Sequence, residues 1–108
     1  MREYETIFIL DPTLDETQVK EEVNKVESLI GGLEGEVIGT EPGGKRKLAY
    51  EIEGNREGYY TMISFKLDPS SLSELERGYK LNERVLRYII VHAVQKKSGV
   101  ADQDEVTA

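Results

Sequence analysis

Hydrophobic and polar positions alternate along the first ten residues. In Arg2–Leu10 one set of side chains is Tyr4, Thr6, Phe8 and Leu10, and the other is Glu5, Ile7 and Ile9. Because both sets are apolar in the middle, the segment predicts a central strand that is buried on both faces. Asp11-Pro12 ends the strand, since proline has no N–H to donate to a neighbouring strand.

The next segment has the period of a helix. Its apolar positions are spaced by four, three, four and three residues, and they are Val19, Val23, Val26, Ile30 and Leu33. Asp15, with Gln18 three residues later, predicts the N-cap of this helix. Gly31-Gly32 predicts its end, because glycine is the commonest residue just past a helix. These positions therefore predict one helix with a single buried apolar stripe.

Two strands joined by a hairpin are predicted next. Glu36–Thr40 opens the first of them, and Pro42-Gly43-Gly44 interrupts it. Alternation resumes over residues 48–52, and Gly54 and Gly58 bracket a loop. The following strand covers Tyr59–Phe65, which is rich in aromatic and β-branched residues.

A second helix and a last strand complete the pattern. Ser71 with Glu74 three residues later is typical of a capping box. The inward face of this helix is formed by Leu72, Leu75 and Tyr79. Val85–Val94 alternates as a strand, whereas residues 96–108 have no periodicity and are expected to form a flexible acidic tail.

The element order therefore predicts an α+β, ferredoxin-like split βαβ fold (βαββαβ). In this fold a four-stranded antiparallel sheet carries two helices on one face. The length of 108 residues fits a single domain, which we place at residues 1–95. If Phe8, Ile63 and Ile90 point to the helices, the bare face carries an apolar patch suited to a protein partner. That patch consists of Ile7, Ile9, Tyr60, Met62, Ile89 and Val91.

Charge is distributed unevenly along the chain. The formal net charge of −7 taken alone argues against a nucleic-acid partner. The first helix is acidic, and we expect its acids to form a solvated face with surface pairs such as Glu21 with Lys25. Residues 77–97 instead carry Arg77, Lys80, Arg84, Arg87, Lys96 and Lys97 against the single acid Glu83. We expect the cations to gather at one margin of the sheet.

Particular cations and tyrosines allow more than one interpretation. Lys45–Lys47 either contact an anionic partner or protect a sheet edge from aggregation. Arg87, in mid-strand between apolar neighbours, favours phosphate binding. Tyr4 and Tyr50 lie near cations, so stacking on a base or sugar is an alternative to packing. Packing is the interpretation for Tyr59, Tyr79 and Tyr88.

The sequence predicts no catalytic residue, metal ligand or cofactor. It has no cysteine, which excludes disulfides and thiolate metal sites, and His92, the only histidine, has no triad partners. Neither a signal peptide nor a membrane span is expected, so the cytoplasm is the expected location. The rival classes are a small phosphatase, disfavoured by the acidic, stiff turn at 11–14, and a ligand-sensing regulatory module that dimerises through its sheet.

Several segments together resemble one known family. They are Met1-Arg2-Glu3-Tyr4-Glu5, Leu10-Asp11-Pro12, Arg46-Lys47-Leu48-Ala49-Tyr50 with Ile52, Gly58-Tyr59-Tyr60, and Asn82-Glu83 to Val85-Leu86-Arg87. In this order, over residues 1 to 95, they are similar to protein six of the bacterial small ribosomal subunit. The resemblance implies a structural RNA-binding domain without enzymatic activity. It also implies a heterodimer with small-subunit protein eighteen on the central domain of the small-subunit ribosomal RNA.

The resemblance and the charge pattern together give candidate residues for both partners. The RNA-side candidates that the resemblance implies are Arg2, Tyr4, Tyr50 and Arg87, and the basic segment and last strand add Lys80, Arg84 and His92. The resemblance places the Arg46-Lys47 edge and the segment after Val91 towards the partner protein. The other candidates for the partner protein are the sequence neighbours of that edge and residues of the bare face. They are Lys45, Leu48, Tyr60, Met62, Ile89 and Val91.

Overall fold

The computed structural model describes residues 1–93, which form one antiparallel sheet and two α-helices. The elements are β1 (Arg2–Leu10), α1 (Glu16–Gly32), β2 (Glu36–Ile52), β3 (Asn55–Leu67), α2 (Leu72–Leu81) and β4 (Val85–His92), with a 3₁₀ turn at Pro69–Ser71. The strand order is β2-β3-β1-β4. The predicted α+β split βαβ fold is thereby confirmed. The domain boundary at 95, the strand end at Val94 and the tail at 96–108 lie outside the described residues.

β1 is the central strand, paired antiparallel with β3 on one side and β4 on the other. Its alternation divides the molecule into two faces, as predicted. Tyr4, Phe8 and Leu10 are each 2% exposed or less and join the core beneath the helices. Ile63 of β3 lies in the same core, and Ile90 of β4 packs against it. The other face of the sheet, which we call the open face, carries the remaining side chains.

A buried polar contact joins β1 to α2 within this core. The Thr6 hydroxyl donates to the Ile89 carbonyl oxygen (3.0 Å) and lies 2.9 Å from the Tyr79 hydroxyl. Since the single Thr6 hydrogen is used on Ile89, the Tyr79 phenol is the donor to Thr6. Both buried hydroxyls are satisfied, and they fix the position of α2 over the sheet.

β2 differs from its prediction, because it runs unbroken for 17 residues. The expected break at Pro42-Gly43-Gly44 is an irregularity in the pairing with β3, where the register shifts between Pro42 and Gly44. β2 is an edge strand, and an edge tolerates a proline because one side of the strand has no neighbour to receive an N–H. The chain therefore continues in extended conformation through these residues.

The hairpin turn is also tighter than the predicted loop at 54–58. Ile52 pairs with Asn55, which leaves Glu53 and Gly54 as a two-residue turn with φ of 52° and 82°. Positive φ at both positions is typical of the type I′ turn, whose twist matches that of paired strands. β3 therefore begins at Asn55 rather than at Tyr59.

The N-terminus of α1 is capped as predicted. Asp15 Oδ1 accepts a hydrogen bond from the Gln18 backbone N–H (2.8 Å), and Gln18 Oε1 accepts one from the Asp15 backbone N–H (3.0 Å). At the other end, the helix stops at Gly32, but the left-handed residue that follows is Glu34, with φ of 67°. The left-handed residue at the end of α1 is therefore Glu34 and not the predicted glycine.

The capping box predicted for α2 is wrong as well. The Ser71 side chain makes no capping hydrogen bond. Asp68 caps the preceding 3₁₀ turn instead, because its Oδ1 accepts from the Ser70 backbone N–H (2.9 Å) and hydroxyl (2.8 Å). These two hydrogen bonds hold the pKa of Asp68 below its ordinary value. The turn starts the helical segment three residues earlier than the pattern indicated.

We expect Gly58→Ala to destabilise the protein by about 1 to 3 kcal/mol, because the site has no room for a methyl group. A Cβ at buried Gly58 would overlap Ile9 Cγ2 and lie 3.2 Å from the Leu10 carbonyl oxygen. Urea unfolding measures the change. The control is Gly39→Ala in β2, where no atom lies within 4 Å of the added Cβ. Equal stabilities for the two variants would contradict the prediction.

Candidate functional site

The open face carries a contiguous apolar patch. Across three strands, Met62, Ile7 and Ile89 lie side by side in register. In the next row, Tyr60 pairs with Ile9. Val91 lies opposite Glu5, one row further on. The six residues expected on the bare face therefore adjoin one another, as predicted, and their binding to a partner protein stays a prediction.

Arg87 stands at the edge of this patch and is contacted from the opposite edge of the sheet. It pairs with Ile9 in the register of β1 and β4. Its Nη1 donates to the Tyr50 hydroxyl (3.2 Å), and its Cζ lies 5.7 Å from the centre of the Tyr50 ring. Tyr50 belongs to β2, on the far side of β3 and β1. The tip of the β2–β3 hairpin must therefore reach past the end of β1 to meet β4.

Two cations of β2 are also held by uncharged groups. Lys45 Nζ lies 5.3 Å from the centre of the Tyr59 ring. Arg46 Nε donates to the Gly43 carbonyl oxygen (3.1 Å). With Arg87 they form a set that we call the anchored cations. A π face or a neutral oxygen orients each side chain without cancelling its charge, and the ion pairs found within residues 1–93 involve other cations.

Three other cations are neutralised by carboxylates. Lys25 Nζ and Arg84 Nη1 lie 3.1 and 2.9 Å from Glu22 Oε2. Arg56 Nε lies 3.0 Å from Glu51 Oε2. These pairs cancel charge, so they contribute little to the attraction of an anion.

The anchored cations do not share one margin of the sheet, and that expectation is wrong. Lys45 and Arg46 lie on the β2 edge and Arg87 on the β4 edge. What they share is the end of the sheet where β1 stops, because Lys45 is level with Leu10 and Arg87 with Ile9. The hairpin tip crosses that end, so these three cations lie at one end of the sheet rather than along one side. The exposed acids Glu51, Glu53 and Glu57 belong to the same hairpin.

Glu22 on α1 is a buried carboxylate, with 0% of its side chain exposed. Asn82 Nδ2 donates to its Oε1 (2.6 Å), while Lys25 and Arg84 donate to its Oε2. The expected solvated face holds for Glu16 and Glu21, which are exposed, but not for Glu22. The predicted Glu21–Lys25 pair is wrong, since Lys25 pairs with Glu22. The carboxylate ties α1 to the turn that leads into β4.

This residue was missed by sequence reasoning, although its spacing carried a signal. Glu22 follows Val19 by three residues and precedes Val26 by four, which places it within the apolar stripe. Burial tends to raise the pKa of Glu22, but hydrogen bonds from its three partners and the charge of Lys25 outweigh that effect. The pKa of Glu22 therefore lies below its ordinary value of 4.5.

The predicted RNA-side residues are placed very differently. Arg2, Tyr50, Lys80, Arg87 and His92 are exposed. Tyr50 is 53% exposed, so its ring is accessible from solvent in spite of the Arg87 contact.

Tyr4 and Arg84 do not fit their predicted roles. Tyr4 is 2% exposed, and its ring lies 5.7 Å from that of Phe65 and 5.1 Å from that of His92. Stacking on a base is therefore ruled out for Tyr4 in this conformation. Arg84 forms an ion pair with the buried carboxylate of Glu22, so its observed role is structural.

The three tyrosines predicted to pack, Tyr59, Tyr79 and Tyr88, do so. Tyr79 is buried, and its ring lies 4.6 Å from that of Tyr88. Tyr59 packs against the core, and Lys45 Nζ lies over its ring. Burial raises the pKa of Tyr79 above its ordinary value, in spite of the hydrogen bond with Thr6.

No group of His, Asp or Glu within residues 1–93 has the geometry of a metal site. Among the helices in this part of the chain, none is long and apolar enough to cross a membrane. The site that the structure does define is a surface, made of an apolar open face with the anchored cations at one end. A small α+β protein with such a surface belongs to the class of binding proteins.

Comparison with known proteins identifies the family. The family model of Ribosomal protein S6 matches residues 3–92 of this chain. The chain is 47% identical over 91 residues to small ribosomal subunit protein bS6 of Clostridium kluyveri, an alignment that covers 84% of this chain and 96% of the relative. The bS6 of Helicobacter hepaticus is 43% identical over 106 residues, covering 98% and 77%.

A solved structure shows the same relationship. The crystal structure of 30S ribosomal protein S6 from Thermotoga maritima superimposes with a TM-score of 0.83 at 34% identity, covering 94% of this chain and 97% of that one. The chain belongs to the ribosomal protein S6 family. It is accordingly a protein of the small ribosomal subunit and not an enzyme, and the ribosome is its location.

We expect Glu22→Gln to lower the free energy of unfolding at pH 7 by about 2 to 4 kcal/mol. The amide cannot accept from all three donors, and the partly exposed Arg84 loses its counter-charge. Because the pKa of Glu22 is lowered by folding, its stabilisation is complete above 4.5 and is lost as the pH falls through the folded-state pKa.

Urea unfolding at pH 7 and at pH 3 tests both parts of this prediction. The difference between wild type and Glu22→Gln should shrink at pH 3. Glu21→Gln, at an exposed position on the same helix, is the matched control and should change stability little. A gap that is the same at both pH values would show that the ionised carboxylate is not the stabilising group.

Proposed function

We propose that the protein binds the central domain of the small-subunit ribosomal RNA as a heterodimer with small-subunit protein eighteen. Family membership supports a place in the small subunit, and the sequence resemblance implies the RNA region and the partner. The observation that carries the proposal is the set of anchored cations, Lys45, Arg46 and Arg87, at one end of the sheet.

The chemistry of these cations suits the RNA backbone. Phosphate oxygens supply most of the charge that a protein meets on RNA, and arginine binds them through two parallel N–H groups. We assign Arg87 to direct phosphate contact, because it is exposed and its charge is intact. Lys45 and Arg46 lie on the side assigned to the partner protein, where their field also attracts the RNA held by the complex.

The apolar patch of the open face is the surface we assign to the partner protein. Its central row, Met62, Ile7 and Ile89, is only partly buried in the isolated chain. Covering such a row removes apolar area from water, at about 25 cal/mol per Å². Family membership favours this use of the patch over a ligand-sensing module that pairs with its own copy.

Arg87→Ala should reduce the salt dependence of RNA binding by about one phosphate contact. The slope of log K against log salt should become shallower by roughly 0.7 to 0.9. Filter binding of the heterodimer to a central-domain RNA fragment, over a salt series, measures it. Lys20→Ala, which removes an exposed cation on α1, should leave the slope unchanged. An unaltered slope for Arg87→Ala would remove this residue from the RNA contacts.

Met62→Glu should weaken the association with protein eighteen by roughly 10- to 100-fold, because it places a charge in the central row of the apolar patch. Calorimetric titration of the two purified proteins gives the affinity. The control is Leu81→Glu on α2, where a hydrophobic side chain is 72% exposed away from the patch. Full affinity in a folded Met62→Glu protein would show that the partner binds elsewhere.

A further inference from the structure

We propose that Tyr50 is a positioning residue, which holds the Arg87 guanidinium in the orientation that receives an RNA phosphate and leaves its charge intact. This inference rests on the proposed function and deepens it. Two separate contacts support it, a hydrogen bond of 3.2 Å to the hydroxyl and a distance of 5.7 Å from Cζ to the ring centre. A hydroxyl contact and a ring contact together restrain both the position and the direction of the guanidinium.

The origin of the two side chains argues against an incidental contact. Tyr50 comes from β2 and Arg87 from β4, the outermost strands on opposite edges of the sheet. They meet only because the hairpin extends beyond the end of β1. Gly58 allows this course, since its lack of a side chain leaves room for Ile9 directly beneath the hairpin.

The neutral character of Tyr50 distinguishes this contact from those of Arg84 and Arg56, which carboxylates hold. Arg84 and Arg56 are held by Glu22 and Glu51, which cancel their charges. A phenol orients a guanidinium through its oxygen and its π face without supplying a negative charge. Arg87 is therefore both oriented and positively charged.

Orientation matters because a free arginine loses side-chain freedom when it binds. A guanidinium has five N–H donors in a rigid fork, and the Tyr50 hydroxyl occupies one of them. The remaining donors stay available on an exposed side chain. Holding the fork in place before RNA arrives lowers the ordering cost of binding, so loss of Tyr50 weakens the phosphate contact of Arg87.

A double-mutant cycle on the complete heterodimer tests this coupling. The variants are Tyr50→Leu, Arg87→Ala and both together, and the probe is a transcribed fragment of the central-domain RNA. We expect Tyr50→Leu to weaken binding by about 5- to 20-fold, the scale of one oriented charged hydrogen bond. In the Arg87→Ala background the same change should have no further effect, because there is no guanidinium to orient.

Tyr50→Phe separates the hydroxyl from the ring and should give an intermediate loss. The salt series provides a second readout, since Tyr50→Leu should flatten the slope as Arg87→Ala does. Ile38→Ala is the control: it removes an exposed, uncharged side chain near the start of β2 and should keep the wild-type slope. Thermal unfolding of each variant shows whether it is folded at the assay temperature.

Two results would overturn the inference while leaving the proposed function intact. One is wild-type RNA affinity for Tyr50→Leu. The other is a loss of equal size in the presence and in the absence of Arg87, which would identify Tyr50 as an independent stacking surface for a base. Failure of the wild-type heterodimer to bind the RNA fragment would instead contradict the proposed function itself.

Discussion

The central place of β1, hydrogen-bonded along both edges, is the constraint on which the surface depends. It separates the β2–β3 hairpin from β4, so that no neighbouring pair of strands brings their side chains together. β1 has nine residues, whereas β2 has 17 and β3 has 13. The hairpin therefore projects past the end of β1, and Tyr50 reaches Arg87 there. The contact between Tyr50 and Arg87 follows from this difference in strand length.

The protein uses two kinds of arginine contact for two purposes. At Arg84 the partner is the buried carboxylate of Glu22, and the pair stabilises the junction of α1 with the turn before β4. At Arg87 the partner is the phenol of Tyr50, and no charge is lost. Here the arginine supplies the counter-charge of a carboxylate that is fully buried, because burying a carboxylate unpaired is costly. An arginine that serves an anionic partner must instead keep its charge until that partner arrives.

Local pattern predicted the features that local physics determines. The alternation of β1 located both faces, and the capping box at Asp15 was found from its spacing. The predictions that were wrong concern residues whose contacts are distant in sequence. Tyr4 looked available beside Arg2, but its place beneath the helices follows from the central position of β1. Glu22 looked solvated, but partners about 60 residues away, at Asn82 and Arg84, make its burial favourable.

The same geometry reconciles a net charge of −7 with an anionic partner. The helices lie on one face of the sheet, and packed layers are about 10 Å apart. That separation is comparable with the Debye length of about 8 Å at physiological salt, so the acids of α1 are largely screened from the open face. Glu22, one of the acids of α1 in the sequence, is neutralised inside the fold by Lys25 and Arg84. An RNA approaching the end of β1 therefore responds to Arg87 and its neighbours rather than to the sum of charges over the chain.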